Sequence, residues 1–454
     1  MKGGKCMDAK HEQQEQRQVS RRQFLQAVGA AAAGATLARW GRSVPAMAAP
    51  RVLGANDRIR IGVIGVGNMG SNHLRHLVRY EKEGTENLEV VAVCDVFQKR
   101  LDEAVKTTQG KAKGYRDYRR LLERKDIDVV WIATPDHWHA KIAIEALEAG
   151  KDIYLEKPMT HTFEEAKNLH RTAKRTGGVV QVGTQLLAED VWYKAQALIR
   201  EGRIGKVVWS QGSYCRNSRE GEWNYSIDPE ARPGENLDWD MWLGWRWGLA
   251  PKIPWNPEHY FRWRKYWPYS GGIATDLFPH VLCRLLVALG PEFPLRVNAN
   301  GGIYVHPDRE VPDTFHFLAD FPSGHTILMV GSTANEQGLP WVIRGHKGTM
   351  YIAGDSLTIR PERPYVEEVE EVQEQVPPPG NHLKAHHHDF LENVRRRGQP
   401  RGNVDLSYRW MTVIALSVRA YREQRTMLFD PEKEEIIAVP SPPKGRLRLR
   451  LRRG

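Results

Sequence analysis

The feature that most constrains this chain is a glycine-rich turn between a predicted strand and a predicted helix. An apolar run at residues 58–64 is followed directly by Gly65, Gly67 and Gly70, where a helical pattern begins. Gly65 permits a tight turn, Gly67 lets the backbone approach a pyrophosphate, and Gly70 lets the helix pack closely on the strand. The helix N-terminus adds amide donors and a positive dipole for the phosphates. The pattern therefore predicts a dinucleotide-binding turn.

The residues after this turn continue the pattern that a dinucleotide-binding domain requires. A second predicted strand, residues 88–93, leads to Asp95, which is placed to accept hydrogen bonds from the adenosine ribose hydroxyls. That favours NAD over NADP, although NADP stays possible. Further apolar strand patterns alternate with helical patterns at residues 128–133, 139–149, 152–155, 163–176 and 179–182. We therefore predict a doubly wound parallel sheet and assign residues 56–182 to an NAD(P)-binding Rossmann domain.

Three side chains are candidates for alcohol oxidation. Hydride loss from an alcohol carbon requires a base for the hydroxyl proton close to the nicotinamide. Lys157 follows a predicted parallel strand at the sheet edge where ligands bind, and its ammonium can stabilise an alkoxide or, at a lowered pKa, take the proton. Asp276 and His280 are four residues apart, so on one helix they share a face.

Several short motifs carry a family resemblance. Besides the glycine turn they are Ala133-Thr134-Pro135 with His139, Glu156-Lys157-Pro158, Gly183-Thr184-Gln185, and the run from Gly271 to His280. Together they resemble the Gfo/Idh/MocA oxidoreductase family over nearly the whole chain after its first 48 residues. Ile273 and Pro279 stand where the family has glycine, so we expect a differently shaped substrate pocket.

The resemblance implies roles for particular residues. It places Lys157, Asp276 and His280 around the reacting hydroxyl, with His280 as the acid and base. The expected cofactor-binding residues are Gly65, Gly67, Asn68, Met69, Gly70, Asp95, Thr134, Pro135, His137, His139, Glu156, Lys157 and Gln185. The expected substrate-binding residues are Asp276, His280 and four on a loop after the first strand of the second domain, Tyr214, Arg216, Asn217 and Tyr225.

The second half of the chain predicts a different architecture. Longer strands are expected at residues 206–213, 295–305, 314–321, 324–332 and 341–345. The resemblance implies that residues 183–432 form a substrate-binding α+β domain with a mostly antiparallel sheet, one face of which would assemble a homodimer or homotetramer. Nine of the 15 Trp lie between Trp209 and Trp267. Indole faces stack on sugar rings, but most of these Trp are expected in the core, with one or two at the substrate.

The net charge of +11 comes from the two ends of the chain. Residues 1–48 hold eight Lys and Arg against three acids, residues 444–454 hold six bases and no acid, and the rest is balanced. Nucleic acid is therefore not an expected partner. Arg21-Arg22, a short Ala- and Gly-rich run and Ala46-Met47-Ala48 resemble a twin-arginine export signal over residues 1–48, so we predict the twin-arginine machinery as a partner and a periplasmic location. We assign residues 433–454 as a basic C-terminal tail, expect an unstructured terminus over residues 444–454, and expect no stable membrane span.

Cysteine and histidine patterns do not predict a metal site. Cys6 lies in the signal, and Cys94, Cys215 and Cys283 are too widely spaced for zinc or a disulfide framework. Adjacent residues of the run His386-His387-His388 would point in different directions on a helix.

The sequence thus favours an NAD(P)-dependent oxidoreductase that oxidises a hydroxyl of a sugar, polyol or glycoside. Because no free NAD pool is expected outside the cytoplasm, the cofactor should be tightly bound and recycled internally by a second carbonyl substrate. The alternative is an NAD-dependent, redox-neutral glycoside hydrolase, since such relatives carry a segment like residues 238–244. They commonly replace the Lys that stands here as Lys157, which favours the dehydrogenase. A third reading, a non-catalytic nucleotide-binding sensor, fits the candidate catalytic residues less well.

Overall fold

The computed structural model describes residue 54 and residues 57–437. The predicted export signal and residues 438–454 of the predicted basic tail lie outside this part of the chain. Within residues 57–437, no helix combines the length and the apolar character needed to cross a bilayer.

The first half forms a six-stranded parallel sheet with helices on both faces. In chain order its elements are β1 Ile59–Ile64, α1 Asn68–Glu83, β2 Leu88–Cys94, α2 Gln98–Thr107, β3 Lys113–Tyr115, α3 Tyr118–Leu122, β4 Val129–Ile132, α4 Asp136–Glu148, β5 Asp152–Leu155, α5 Phe163–Thr176 and β6 Val180–Val182. The strand order is β3-β2-β1-β4-β5-β6, so the order reverses beside β1, where a dinucleotide binds in such sheets. The predicted Rossmann fold is confirmed, although the sequence did not predict the short strand β3.

The second half forms a ten-stranded sheet that is mostly antiparallel. Its elements are α6 Val191–Arg200, β7 Val207–Cys215, α7 Trp239–Leu243, α8 Pro257–Phe261, α9 Ile273–Asp276, α10 Pro279–Leu289, β8 Arg296–Gly302, β9 Thr314–Asp320, β10 Thr326–Ser332, β11 Trp341–Gly345, β12 Gly348–Ala353, β13 Ser356–Pro361, β14 Val372–Gln375, α11 His382–Arg396, α12 Val404–Glu423, β15 Met427–Asp430 and β16 Glu435–Ile437. Only the β7–β10 pair is parallel among the pairings within the described residues. The predicted α/β class with a mostly antiparallel second sheet is confirmed.

Two helices from the second half of the chain pack against the domain of the parallel sheet. Phe390 of α11 packs against Trp131 of β4 and Tyr154 of β5, with ring centroids 5.2 and 5.7 Å apart, in the core beneath the parallel sheet. The long helix α12 packs against α5, α10 and β8. The parallel sheet therefore completes its core with side chains that follow its last strand by more than 200 residues.

The helix expected to carry both Asp276 and His280 is interrupted. Helix α9 ends at Asp276, and α10 begins at Pro279, so the two residues lie on different helices. Proline lacks an N–H and has a fixed φ, which suits the first turn of a helix but not its interior. The prediction of one shared helix face was wrong for this physical reason.

Candidate active site

The glycine turn is closed by backbone contacts that leave no room for side chains. Gly65 has a φ of +82°, and a Cβ there would stand 2.7 Å from the Ala133 carbonyl oxygen. A Cβ on Gly70 would stand 1.8 Å from the Gly65 carbonyl oxygen. The first turn of α1 therefore sits directly against the end of β1, with the amides of Asn68 and Met69 at the cleft. Such a cradle of amides suits a pyrophosphate.

Asp95 lies at the carboxyl end of β2 with its carboxylate fixed by backbone donors. Its Oδ2 accepts from the Val66 amide and its Oδ1 from the Phe97 amide, both at 2.9 Å. The side chain is buried but lines the cleft. On the other side of the glycine turn, Thr134 Oγ1 is buried at the cleft wall without a hydrogen-bond partner in the described part of the chain. A ribose on Asp95 and a further polar group on Thr134 fit a dinucleotide lying across the turn.

One cleft of about 630 Å³ joins these residues to the candidate catalytic side chains. Its lining includes the glycine turn and Asp95 at one end and Lys157, Asp276 and His280 at the other. The volume is within the range of small-molecule sites, and the two ends are continuous. The arrangement can therefore hold a dinucleotide together with a second molecule.

Lys157 and Asp276 form the centre of a buried charge network. Lys157 Nζ donates to Asp276 Oδ1 at 2.6 Å and to the Asp276 carbonyl oxygen at 2.8 Å. Arg264 Nε donates to the same Oδ1 at 2.9 Å, and Trp223 Nε1 donates to Oδ2 at 2.9 Å. Burial opposes ionisation of Asp276, but Lys157 and Arg264 outweigh it and hold its pKa well below the ordinary value. Asp276 is a fixed carboxylate that orients Lys157, not a base.

His280 is the uncharged member of this wall. Burial, reinforced by the charge of Lys157, lowers the pKa of His280 to about 3. Its Nδ1 is buried without a partner within the described residues, and its ring lies 6.1 Å from that of Tyr214. A neutral imidazole at physiological pH has a free lone pair, so His280 can accept a proton from a hydroxyl bound in the cleft.

Comparison with known proteins places this geometry in a family. Residues 59–184 match the family model described as oxidoreductase family, NAD-binding Rossmann fold. Residues 220–442 match the model of the same family's C-terminal alpha/beta domain. The chain belongs to the Gfo/Idh/MocA oxidoreductase family. NAD(H) is its cofactor, and the glycine turn with Asp95 and Thr134 fits that dinucleotide.

Individual relatives differ in what their names state. A glycosyl hydrolase family 109 protein from Shewanella baltica is 34% identical over 229 residues, which cover 44% of this chain and 47% of the relative. The chain thus spans about half the length of the curated relatives it matches. Levoglucosan dehydrogenase in complex with NADH and levoglucosan has a TM-score of 0.61 at 20% identity, covering 82% of this chain and 99% of the other. The WlbA dehydrogenase from Chromobactrium violaceum, in complex with NADH and UDP-GlcNAcA, has a TM-score of 0.64 at 19% identity, covering 84% and 98%.

Most of the expected cofactor-binding residues of this family member face the cleft, but some do not. The lining includes Gly65, Gly67, Asn68, Met69, Asp95, Thr134, Pro135, Glu156, Lys157 and Gln185. Gly70 acts from behind, through its contact with Gly65.

His137 and His139 lie behind the cleft wall, which corrects the expectation that they line it. His139 lies between two loops that do line the cleft, with its Nδ1 2.6 Å from the Pro158 carbonyl oxygen and its Nε2 2.8 Å from that of Thr134; as a neutral imidazole it donates to one of the two. His137 Nε2 donates to the Trp242 carbonyl oxygen at 3.0 Å, and burial lowers its pKa to about 3. The residue between them, Trp138, faces the cleft. Successive residues of α4 point in different directions, and the sequence motif alone does not show which of them faces the cleft.

Of the four residues that the sequence placed on a substrate-binding loop, two line the cleft and two do not. Arg216 and Tyr225 line the cleft. Tyr214 is the penultimate residue of β7, not part of a loop, and its hydroxyl accepts from Arg216 Nη2 at 2.7 Å. Asn217 is exposed and paired with Ala334 in a β-bridge, away from the cleft lining.

The sequence missed several residues of the site. Arg264 and Trp223 bind Asp276, and Trp263 lines the cleft with the Arg264 guanidinium 4.1 Å from its ring centroid. Asp136 is buried in the cleft wall and accepts from Thr275 Oγ1 at 2.9 Å, and burial raises its pKa to about 6. No spacing in the sequence singled out Arg264 or Asp136, although Asp136 lies within the stretch from Ala133 to His139. Trp223 and Trp263 belong to the Trp-rich segment in which one or two substrate contacts were expected.

The run His386-His387-His388 is divided between core and surface. His386 and His387 are buried and His388 is exposed, where it pairs with Glu86 at 2.7 Å. Within residues 57–437, no three His, Cys, Asp or Glu side chains are placed to hold a metal ion. Cys94 and Cys283 are buried and Cys215 is half-buried, all three as free thiols.

Proposed function

We propose that this protein is an NAD-dependent oxidoreductase that oxidises a hydroxyl group of a sugar, polyol or glycoside. The observation that carries the proposal is the network of Lys157 with Asp276, which shares one cleft with the dinucleotide turn and with His280. When bound, NAD supplies the hydride acceptor. The side chains of the protein bind the substrate hydroxyl and accept its proton.

Lys157 has one ammonium N–H left for the substrate. Two of its three donors are directed to Asp276, at 2.6 and 2.8 Å, so the third is available to the hydroxyl oxygen. There it stabilises the negative charge that develops as the hydroxyl loses its proton. Asp276 holds the ammonium in place, and Arg264 and Trp223 hold Asp276.

His280 is the proposed acceptor of the hydroxyl proton. The ring is neutral at physiological pH and lines the same end of the cleft as Lys157. His280 accepts the proton of the substrate hydroxyl while Lys157 donates a hydrogen bond to the same hydroxyl oxygen, so the two side chains act on one atom.

A further part of the proposal rests on the export signal that the sequence predicts for residues 1–48. If residues 1–48 direct export, the enzyme works in the periplasm, where its NAD would be held tightly and reoxidised in place by a second carbonyl substrate. If the cofactor is held in this way, we expect the nucleotide to remain bound to the protein through purification.

A second candidate is a redox-neutral glycoside hydrolase, in which transient oxidation allows elimination and hydrolysis of the glycosidic bond. The relative named as a glycosyl hydrolase family 109 protein favours it. So does the segment 238–244, because Asp238 caps α7 and places Trp242 on the cleft wall. Retention of Lys157 beside Asp276 favours the dehydrogenase.

One experiment separates the two. The protein is purified without its first 48 residues, denatured, and any released nucleotide identified; sugars and aryl glycosides are then assayed with and without an added carbonyl acceptor. Acceptor-dependent oxidation supports the dehydrogenase. Release of the aglycone without net reduction of NAD supports the hydrolase.

The matched variants are Lys157→Ala and Lys174→Ala. Lys157→Ala is expected to lower kcat at least a thousandfold while NAD still binds, because a buried charge-assisted donor at the reacting oxygen is lost. Lys174, an exposed residue of α5 that pairs with Asp405, provides a control that should not change kcat. A loss below tenfold for Lys157→Ala contradicts its assigned role.

A further inference from the structure

A buried hydrogen-bonded chain runs from the cleft into the core of the parallel-sheet domain. Glu156 Oε1 is 2.7 Å from His73 Nε2, His73 Nδ1 is 2.9 Å from His387 Nε2, and His387 Nδ1 is 3.4 Å from the Tyr80 hydroxyl. The exposed fractions of these residues are 6%, 0%, 0% and 2%, in the same order. We call these four residues the His73 chain. It joins α1, the end of β5 and α11, and none of its members except Glu156 lines the cleft.

The chain fixes the chemical state of Glu156. A carboxylate only accepts hydrogen bonds, so His73 must donate its Nε2 proton to Oε1, whatever the total charge of the imidazole. Gln185 Nε2 also donates to Oε1, at 3.1 Å, and the Lys157 amide donates to Oε2 at 3.2 Å. Burial opposes ionisation of Glu156 more than any single neighbour favours it, but His73, through its hydrogen bond above all, and Lys157 together outweigh burial and lower the pKa of Glu156. His73 Nδ1 and His387 Nε2 face each other, and only one of these two nitrogens carries the proton of their hydrogen bond. His387 therefore holds the ring of His73 in place through its Nδ1 while Nε2 donates to Glu156.

Glu156 lies where the nicotinamide of a bound dinucleotide is expected. A pyrophosphate would be held by the glycine turn and the adenosine ribose by Asp95, after β2. The remaining part of the dinucleotide would then extend the other way along the sheet edge, towards Thr134 after β4 and Glu156 after β5, which line the same cleft. The nicotinamide ring carries a positive charge when oxidised and none when reduced. A carboxylate at this end therefore interacts more favourably with the oxidised cofactor.

We propose that His73, backed by His387, is a positioning residue that holds Glu156 as a carboxylate at the nicotinamide end, and that it thereby sets the preference of the site for oxidised over reduced NAD. The proposal concerns cofactor binding and does not depend on which hydroxyl compound is the substrate.

The other titratable groups around Glu156 do not replace His73. Those that face or influence it are Lys157, Tyr154 of β5, His139 of α4, His280 of α10 and His386 of α11. Lys157 Nζ is directed to Asp276, and burial lowers the pKa of His139, His280 and His386, which keeps them neutral. Without its donor from His73, Glu156 keeps the donors from Gln185 and the Lys157 amide but loses the largest influence that opposes burial, so its pKa rises towards the protonated acid.

The test is the affinity for NAD⁺ and for NADH, each titrated between pH 6 and pH 9 after removal of any bound nucleotide. For His73→Leu we expect NAD⁺ to bind at least tenfold more weakly at pH 7, a change below twofold for NADH, and recovery of NAD⁺ binding towards pH 9 as Glu156 ionises. His73→Gln keeps a donor near the position of Nε2 and should restore the wild-type preference. His388→Leu, on the exposed side of α11, is the matched control.

Two further variants keep the outcome decisive if His73→Leu folds poorly. His387→Leu should give a smaller loss with the same selectivity for NAD⁺, and Glu156→Gln a loss that does not recover at high pH. Equal losses for NAD⁺ and NADH, losses that ignore pH, no rescue by His73→Gln, or no change at all would each overturn the proposal. Because no substrate is needed, these results stand apart from success or failure of the proposed hydroxyl oxidation.

Discussion

The two ends of the cleft are built in different ways. The dinucleotide end is made largely of backbone from a short stretch of sequence, residues 65–95, with Gly70 pressed against Gly65. The substrate end is made of three charged side chains and one indole, which come together from more than a hundred residues of sequence: Lys157, Arg264, Asp276 and Trp223. The first end is therefore specified by local steric constraints, and the second by a network in which every member depends on the others.

The largest expected effect is at the dinucleotide end. Gly70→Ala would place a Cβ 1.8 Å from the Gly65 carbonyl oxygen, so α1 must move away from β1. We expect a loss of about 3 kcal/mol or more in the free energy of unfolding and at least a hundredfold weaker NAD binding. Denaturant unfolding and NAD titration measure the two losses.

Gly84→Ala is the matched control for the glycine turn. Gly84 ends the same helix with a φ of +66°, but a Cβ there meets nothing within 4 Å. The substitution should cost only about 1 kcal/mol and leave NAD affinity unchanged. If Gly70→Ala behaves like Gly84→Ala, the local steric account of this end is wrong.

The same difference explains what the sequence predicted. The dinucleotide end could be predicted because its residues meet local requirements at a fixed spacing. The backbone comes too close for a side chain at the glycines, and the strand β2 ends at a carboxylate; the residues are Gly65, Gly67, Gly70 and Asp95. Strands with strong apolar patterns were also found, and the bounds of β11, Trp341–Gly345, match the prediction. The strand β3, with the sequence KGY, has no apolar pattern and was missed.

At the substrate end the sequence indicated residue types but not their partners. Lys157 and His280 were singled out by motifs, whereas Arg264 and Trp223 were not, because their link to Asp276 exists only after folding. The pairing of Asp276 with His280 assumed one helix, which Pro279 interrupts. Contacts between distant segments carry no periodic signal, so a side-chain network is poorly visible in sequence.

The second expected effect tests the network at the substrate end. Asp276→Asn keeps the size of the side chain but leaves Lys157 and Arg264 without their shared counter-charge. Removing one partner of a buried ion pair typically costs about 3–5 kcal/mol. We expect a loss of that order in the free energy of unfolding, with near-complete loss of turnover.

Trp223→Phe is the graded companion to Asp276→Asn. It removes one hydrogen bond to Asp276 Oδ2 and leaves both cations in place. The cost should be about 1–3 kcal/mol, because one buried acceptor loses its partner. If Asp276→Asn costs no more than Trp223→Phe, the cations are not held as a network.

A third prediction concerns acid stability, where a buried histidine outside the cleft and one in its wall should behave alike. Burial lowers the pKa of His386, beside Val182 at the end of β6, to about 4, and with Lys157 that of His280 to about 3. Below pH 6.5 the unfolded chain binds a proton at each position and the folded chain does not, so stability is present above 6.5 and is lost as pH falls. Each histidine contributes a slope of at most about 1.4 kcal/mol per pH unit.

The slope is measured by denaturant unfolding between pH 7 and pH 4.5. His386→Gln keeps a donor for the Val182 carbonyl oxygen and should reduce the slope by up to about 1.4 kcal/mol per pH unit. Asp136, whose pKa burial raises to about 6, acts with the opposite sign, so the comparison is made between variants and not on the total slope. His388→Gln, at an exposed site on the same helix, should leave the slope unchanged.

The smallest expected effects separate true substrate contacts from residues that merely follow the same strand. Arg216 and Tyr225 line the cleft, whereas Asn217 is exposed and bridged to Ala334. With a substrate in hand, Tyr225→Phe should raise KM about threefold to tenfold through loss of one hydroxyl contact, about 1 kcal/mol. Asn217→Ala should change KM less than twofold. Equal changes in KM for Tyr225→Phe and Asn217→Ala would mean that the substrate extends beyond the cleft to the end of β7. The substrate end would then include a wider part of the ten-stranded sheet than the charge network of Lys157 and Asp276.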